Sequence, residues 1–461
     1  MTNKVVGVEE RLPLSQNLAL SFQHVFAMFG ATVLVPFLTG LDPSIALFSS
    51  GIGTLVFILC TKGKVPAYLG SSFAFISPII AISAKWGVPY ALGGAVAVGL
   101  LYVLVAGIIA LLGTEWLSKL LPPVVIGSVI IVIGLHLAPT AVDMAFYKNV
   151  EIPLPSSLEE TADIINSSEA TIDVENGVIS LKQYDSKYAA VALFTLAVTV
   201  LVWVFAKGFV AVIPILIGII AGYLFAFTQG LVDLTTVANA PWFKIPEFTL
   251  PKFGVGPIVT MLPVALVTIA EHLGDILVAG TIVGKDFYRD PGLHRTLLGD
   301  GMATAVAGLF GGPPNTTYGE NVGVLAITKV FSIYVIIGAA ILAIILGFVG
   351  KLGALLQTIP TPVMGGISMV LFGIIASSGI RTLVESGIDF SHQRNLIISS
   401  VILVMGIGGA SLPLFSKASW GPIVLQKVAL ATIVGILLNL ILPIKENEVN
   451  HKKKESKTTN A

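Results

Sequence analysis

Pro313-Pro314-Asn315-Thr316-Thr317-Tyr318-Gly319-Glu320-Asn321-Val322-Gly323 is the stretch on which the fold turns. Two prolines in a row force an extended entry. The polar residues that follow offer backbone amides with no helical partner, and Gly319 lets a ligand approach the main chain closely. Glu320 then opens a helix, where the positive end of the dipole favours a carboxylate. In a soluble protein this would be a loop and an N-cap at the surface. Here it interrupts a chain that is 55% hydrophobic and 11% charged, with a mean hydropathy of +0.92. A soluble domain carries roughly a quarter of its residues as charges. Most of this protein's surface must therefore face lipid, and an unwound polar segment inside it is costly.

Working outward, runs long enough to span a bilayer, about 20 residues, occur near 16–40, 43–61, 90–113, 122–142, 187–206, 209–228, 257–280, 293–311, 333–350, 354–378, 395–410 and 422–443. The first of them is long enough to span and lacks a cleavage site, so it is expected to double as the insertion signal. Two further segments, Ser71 to Trp86 and Asn315 to Val330, are shorter and open with polar residues. Counting both gives fourteen crossings, and lysine and arginine decide between that count and others. With a cytoplasmic N-terminus, ten basic loop residues (Lys62, Lys64, Lys119, Lys207, Lys285, Arg289, Arg295, Lys329, Arg381 and Arg394) and seven in the termini fall inside, of 26 in all. The 148–187 loop then lies outside, is mostly acidic, and reads as solvated. Both termini are expected in the cytoplasm of a cell-membrane protein.

The chain also repeats itself. Phe22-Gln23-His24-Val25 resembles Ala270-Glu271-His272-Leu273, and Pro-x3-Gly-x6-Gly occurs at Pro123, Gly127 and Gly134 and again at Pro362, Gly366 and Gly373. The two polar short segments form the third pair. All three pairs keep the same order, about 240–250 residues and seven spans apart. An odd number of spans per repeat inverts the second half, the architecture of secondary transporters whose broken helices build a midplane site. The expectation is an all-α polytopic membrane protein of fourteen transmembrane segments in two inverted seven-span repeats.

Ionisable residues inside spans are expensive and mark function. Glu271, His272, Asp275, Asp300, Glu320, His24 and His136 are the candidates. Glu271 and Asp275 stand four apart on one helical face, with His272 turned away. Two carboxylates one turn apart in low dielectric raise each other's proton affinity and tend to share a proton. Glu271, Asp275 and Glu320 are therefore the expected proton-coupling groups, while His24 and His272 read as helix-to-helix hydrogen-bonders. Ser72-Phe73 matches the unwound entry at Gly319 in the other half. Backbone amides and carboxylates together suit a uracil-like ring, whose edge alternates N–H and C=O. Nothing in the site supplies a fixed positive charge, which disfavours an anion.

Net charge is zero and the one basic block is the tail His451 to Lys454, so a nucleic-acid partner is not expected. The single cysteine, Cys60, precludes a disulfide framework or a cysteine-based metal site. No nucleophile–base pair or metal-ligand set stands out, so neither an enzyme nor a cofactor is expected.

The motif Glu320-Asn321-Val322-Gly323 with Thr328-Lys329 resembles the signature of the nucleobase–ascorbate transporter family, in its uracil permease branch. The resemblance extends through Gln23–Thr32, Tyr68–Phe75, Ala270-Glu271-His272 and Asp290–Arg295, over nearly the whole chain outside the 148–187 loop and the tail. It implies a core domain of spans 1–4 and 8–11 (1–113 and 229–350) and a gate domain of spans 5–7 and 12–14 (114–228 and 351–443), followed by a cytoplasmic tail, 444–461. Short antiparallel strands in spans 3 and 10 would hold the cargo. By the same likeness Glu271 and Glu320 meet the ring nitrogens and the amides of Phe73 and Gly319 the ring carbonyls. Ala31, Ser72 and Tyr318 would line the pocket, with Phe372 facing it from the gate. Proton symport of uracil, without a metal, and a homodimer through the gate domain are what the family implies. Asp275 stands where some uracil permeases carry a histidine, and Phe372 where some carry a tyrosine. Xanthine, urate or another pyrimidine is the alternative cargo. An anion exchanger of the sulfate-permease type would need a basic residue where this chain has Glu320.

Overall fold

The structure, a computed structural model, describes residues 5–153, 170–173, 178–414 and 423–443. The expected tail lies outside these residues. Among them the chain is mainly helical: α1 Leu14–Thr39, α2 Pro43–Cys60, α3 Ile76–Trp86, α4 Val88–Leu112, α5 Glu115–Leu120, α6 Pro123–His136, α7 Ala138–Phe146, α8 Ser186–Phe205, α9 Pro214–Thr228, α10 Thr235–Asn239, α11 Val255–Val283, α12 Leu293–Leu309, α13 Gly319–Thr328, α14 Ile333–Gly347, α15 Gly350–Gln357, α16 Thr361–Glu385, α17 Gln393–Ile407 and α18 Lys427–Ile441. Among the described residues seven helices are long and apolar enough to cross a membrane, counting α6 and α7 as one. Others, such as α9, α14, α17 and α18, have 15 residues each. At about 1.5 Å per residue they run roughly 22 Å, short of the ~30 Å hydrocarbon core.

Local chemistry sets the helix ends. Asp42 accepts from the Ser44 amide (2.8 Å) to cap α2, with Pro43 at its first position. Asp185 accepts from the amides of Lys187 and Tyr188 to cap α8. α1 and α11 stop at Gly40 and Gly284, both left-handed.

Glycine and alanine let the helices touch. A Cβ at Gly99 on α4 would stand 2.5 Å from Gly301 O and Ala305 N on α12, and one at Gly51 on α2 would stand 2.5 Å from Ala340 O on α14. Such small-residue contacts supply the van der Waals packing that lipid-soluble helices depend on. α2, α4, α12 and α14 pack together with α1 and α11, whereas α16 packs on α6, α7 and α8, and α17 on α18. Large apolar side chains on α8, among them Leu201, Trp203 and Phe205, remain exposed, which is what a lipid-facing helix requires.

Three expectations need correction. The acidic 148–187 loop is not simply a solvated coil: its described residues form a three-stranded antiparallel sheet, β2 Tyr147–Pro153, β3 Ala170–Asp173 and β4 Val178–Tyr184, in the order β2-β4-β3. The alternation in Ile179-Ser180-Leu181-Lys182 favours a strand over a loop. The runs ending at 410 and beginning at 422 are joined through an antiparallel pair, β6 Ser411–Leu414 with β7 Ile423–Gln426, so α18 starts only at Lys427. The run at 354–378 is two helices, α15 and α16, because Pro360 and Pro362 interrupt it.

Candidate functional site

The two unwound segments meet. β1, Leu69–Ser71, pairs antiparallel with β5, Asn315–Thr317, in the register Leu69↔Thr317, Gly70↔Thr316, Ser71↔Asn315. Each strand end is also closed, by Tyr318 N donating to Tyr68 O (3.0 Å) and Ser72 N to Pro314 O (2.9 Å). Backbone that cannot bond to water must bond within the protein, and these two pieces satisfy each other. Side chains from the surrounding helices pin them: Thr54 Oγ1 accepts from Leu69 N (2.9 Å), Thr304 Oγ1 donates to Asn315 O (2.7 Å), and Asn315 Nδ2 donates to Ser49 O (3.0 Å). Gly53 leaves room for that asparagine, since a Cβ there would overlap Asn315 Nδ2.

A short 3-10 turn, Phe73–Phe75, and α3 leave β1, while α13 leaves β5. Because the strands are antiparallel, the two helices depart in opposite directions, and both N-termini with their free amides stay at the crossing. Gly319 is exposed, and a Cβ on it would meet nothing within 4 Å. Its main chain therefore borders open space inside an otherwise buried segment. Ser72 Oγ and Thr316 Oγ1 are buried without a hydrogen-bond partner.

The carboxylates converge here from two helices. Glu271 and Asp275 sit one turn apart on α11, and Glu320 lies in the first turn of α13. Thr317 Oγ1, on β5, donates to Asp275 Oδ2 (3.0 Å), linking the strand to α11. Glu271 is within electrostatic reach of Asp275, Asp300 and Glu320, and its Oε2 is buried with no partner. A buried acceptor with nothing to accept from is costly, so it suits a donor that arrives with a ligand.

His272 Nε2 bonds Thr296 Oγ1 at 3.1 Å, and its Nδ1 approaches Asp300 Oδ2 to 3.2 Å, out of hydrogen-bonding alignment; both side chains are fully buried. His24 meets Asn321 Nδ2 at 3.1 Å through Nδ1. His136 meets Ser77 Oγ at 3.0 Å. All three histidines thus join one element to another. Phe73 and Phe372 meet edge to face, centroids 6.2 Å apart. Ala31 is buried on α1, next to Thr32. Tyr318 is buried, and its hydroxyl is engaged by protein. Thr32 is a polar partner that the sequence does not mark, because a threonine in a span can bond back to its own helix, and Thr317, though inside the unwound stretch, gives no sign in sequence of its bond to Asp275. A 280 Å³ cavity bounded by Leu121, Ile126, Leu273, Gly274, Leu277 and Tyr288 opens one residue from Asp275.

Comparison with known proteins places this geometry. Residues 15–165 and 158–415 match the sequence model of the permease family. The uracil permease of Bacillus subtilis is 52% identical over 436 residues, covering 93% of each chain. That of Bacillus caldolyticus is 50% identical, covering 98% of this chain and all of its own, and that of Escherichia coli K12 is 48% identical, covering 96% and 95%. Among solved structures, the transmembrane domain of a cyanobacterial bicarbonate transporter aligns with a TM-score of 0.57 at 14% identity, covering 83% of this chain and 98% of its own. The murine solute carrier 26 family member A9 anion transporter aligns with a TM-score of 0.66 at 12% identity, covering 94% and 69%. At such identities these transporters share the fold alone. The paired strands, the apolar helices and the extent of the sequence match lead to one assignment: the chain is a multi-pass membrane protein that belongs to the permease family.

Proposed function

We propose that the chain is a proton-coupled uracil importer of the cell membrane, working by alternating access. The observation that carries this reading is the crossing of β1 and β5, where two helix N-termini stand beside Glu271 and Glu320. Uracil presents N–H groups that carboxylates accept from and C=O groups that the amides of Phe73 and Gly319 donate to. Phe73 and Phe372, packed edge to face, supply apolar contact, and Ala31 and Ser72 complete the pocket. Its relatives at about half identity are uracil permeases.

Proton coupling rests on Glu271, Asp275 and Glu320. Three carboxylates this close cannot all stay ionised in low dielectric, so a proton accompanies the neutral cargo and leaves with it. No resident metal or cofactor enters this scheme. The fourteen-span reading is supported by the twelve helical runs together with the β1–α3 and β5–α13 segments. Close packing among α1, α2, α4, α11, α12 and α14 and separately among α6–α8 with α16 supports the division into core and gate. The cavity beside Asp275 would then be the cytoplasmic path between them, lined by Leu121 from one and Leu277 from the other. A dimer through the gate fits the exposed apolar faces it carries.

Labelled uracil uptake into vesicles holding only this protein tests the reading, with xanthine as competitor. Anion transport is the second reading, since bicarbonate and anion transporters share the fold, though that likeness says nothing of cargo. It is weakened by the carboxylate at 320, which would repel an anion. Uptake of bicarbonate or sulfate without uracil uptake would favour it.

A further inference from the structure

Tyr318 sits between the strand β5 and the helix that starts at Gly319, so whatever fixes it also fixes the Gly319 amide and the Glu320 carboxylate. Its backbone is held on both sides, with its N–H on Tyr68 O (3.0 Å) and its C=O accepting from Val322 N (3.2 Å). Its side chain reaches back across the crossing. Tyr318 Oη lies 3.0 Å from the main-chain oxygen of Ser71 and 3.2 Å from Thr32 Oγ1. A carbonyl can only accept, so the phenolic proton goes to Ser71 O. That leaves Oη as acceptor for the Thr32 hydroxyl. Thr32 also faces Met28 Sδ at 3.2 Å, a weaker acceptor, and its own carbonyl lies 3.4 Å from Ser71 Oγ. The tyrosine ring lies against Gly70, where a Cβ would stand 2.5 Å from Cζ.

Three pieces of chain are thereby locked together: α1 through Thr32, β1 through Gly70 and Ser71, and the start of α13 through Tyr318 itself. All four residues are buried. With one bond given and one received, the phenol has no proton left for a cargo, so its effect on the site is to hold other groups in place.

We propose that Thr32 and Tyr318 form a clamp that sets the spacing between the Phe73 and Gly319 amides, making Thr32 a positioning residue for cargo selection although it is not itself among the cargo-binding groups. This rests on the uracil reading above. Xanthine carries the same pair of ring carbonyls as uracil on a wider, two-ring frame, so a crossing whose segments are locked at fixed spacing admits the single ring and penalises the fused one, whereas a loosened crossing accepts both.

The test is Thr32→Val, which keeps the shape and removes the hydroxyl, with Thr32→Ser as the variant that restores it. Uracil uptake should show KM raised roughly five-fold, the weight of one neutral hydrogen bond, with maximal rate and membrane abundance near those of the unmodified protein. Inhibition by xanthine should strengthen relative to uracil by a similar factor, and Thr32→Ser should reverse both changes. Amide exchange over 69–73 and 315–320 should quicken in Thr32→Val, a readout that needs no cargo. Tyr318→Phe, which loses both bonds, should move every measure further in the same direction and serves if Thr32→Val is not inserted. Unchanged KM, unchanged xanthine inhibition and unchanged exchange in these variants would overturn the clamp. If the unmodified protein carries no uracil, the reading above fails, and the exchange measurement alone then decides the clamp.

Discussion

A carboxylate buried in a helix bundle must be protonated, paired or wet, and Glu271, Asp275 and Glu320 are held close enough to constrain one another. Their roles can be separated by substitution. Glu271→Gln and Glu320→Gln keep size and remove the charged acceptor; each should lower uracil uptake roughly ten- to a hundred-fold, the weight of a charge-assisted hydrogen bond. Membrane abundance, read by immunoblot, should hold. Asp275 is tied to Thr317 rather than left free. Asp275→Asn should therefore bind uracil in equilibrium dialysis within about three-fold of the unmodified protein while losing concentrative uptake. The candidate carboxylates were legible in the sequence because ionisable residues are so scarce in the spans. The threonines that position them were not: Thr32 and Thr317 look like any small polar residue until the partner 286 or 42 positions away is known.

At the scale of elements, the two unwound segments were readable from prolines and polar runs, and so was the Pro-x3-Gly-x6-Gly pattern. What the pattern could not say was which helix each glycine touches. Gly134 on α6 lies directly against the backbone of Phe372 and Ala376 on α16, and a Cβ there would overlap Phe372 O. At Gly127 on α6 a Cβ would stand 2.9 Å from Gly379 O, also on α16. Gly134→Val should push α16 away just where Phe372 meets Phe73. We expect a loss of about 1–3 kcal/mol from overpacking, seen as a lower midpoint in detergent melting, together with weaker uracil uptake. The pairs β2–β4 and β6–β7 escaped reading for a different reason. Ile423–Gln426 is apolar and abuts a span, so hydropathy merges it with α18, and the proline in Ser411-Leu412-Pro413-Leu414 argues against a strand. The acidic composition of 148–187 similarly hid the alternation that makes Val178–Tyr184 a strand.

At the scale of the whole molecule, two crossovers between the packed groups of helices are sewn together on one face. Lys244 N donates to Phe348 O and Gly350 N to Trp242 O, both 3.0 Å, while Lys351 Nζ caps α10 through Val237 O and Ala238 O. If a proton travels with uracil, acidifying the outside should speed uptake and alkalinising it should slow it, because the loaded state needs the proton bound. An uncoupler should stop accumulation while leaving exchange of labelled for unlabelled uracil. The most direct test of the account is labelled uracil uptake into vesicles containing only this protein, with an imposed inward proton gradient and no sodium. Concentration above the outside level that collapses with uncoupler and is absent in Glu320→Gln is the expected result. Uptake that ignores the proton gradient, or that Glu320→Gln and Glu271→Gln both retain in full, would contradict it.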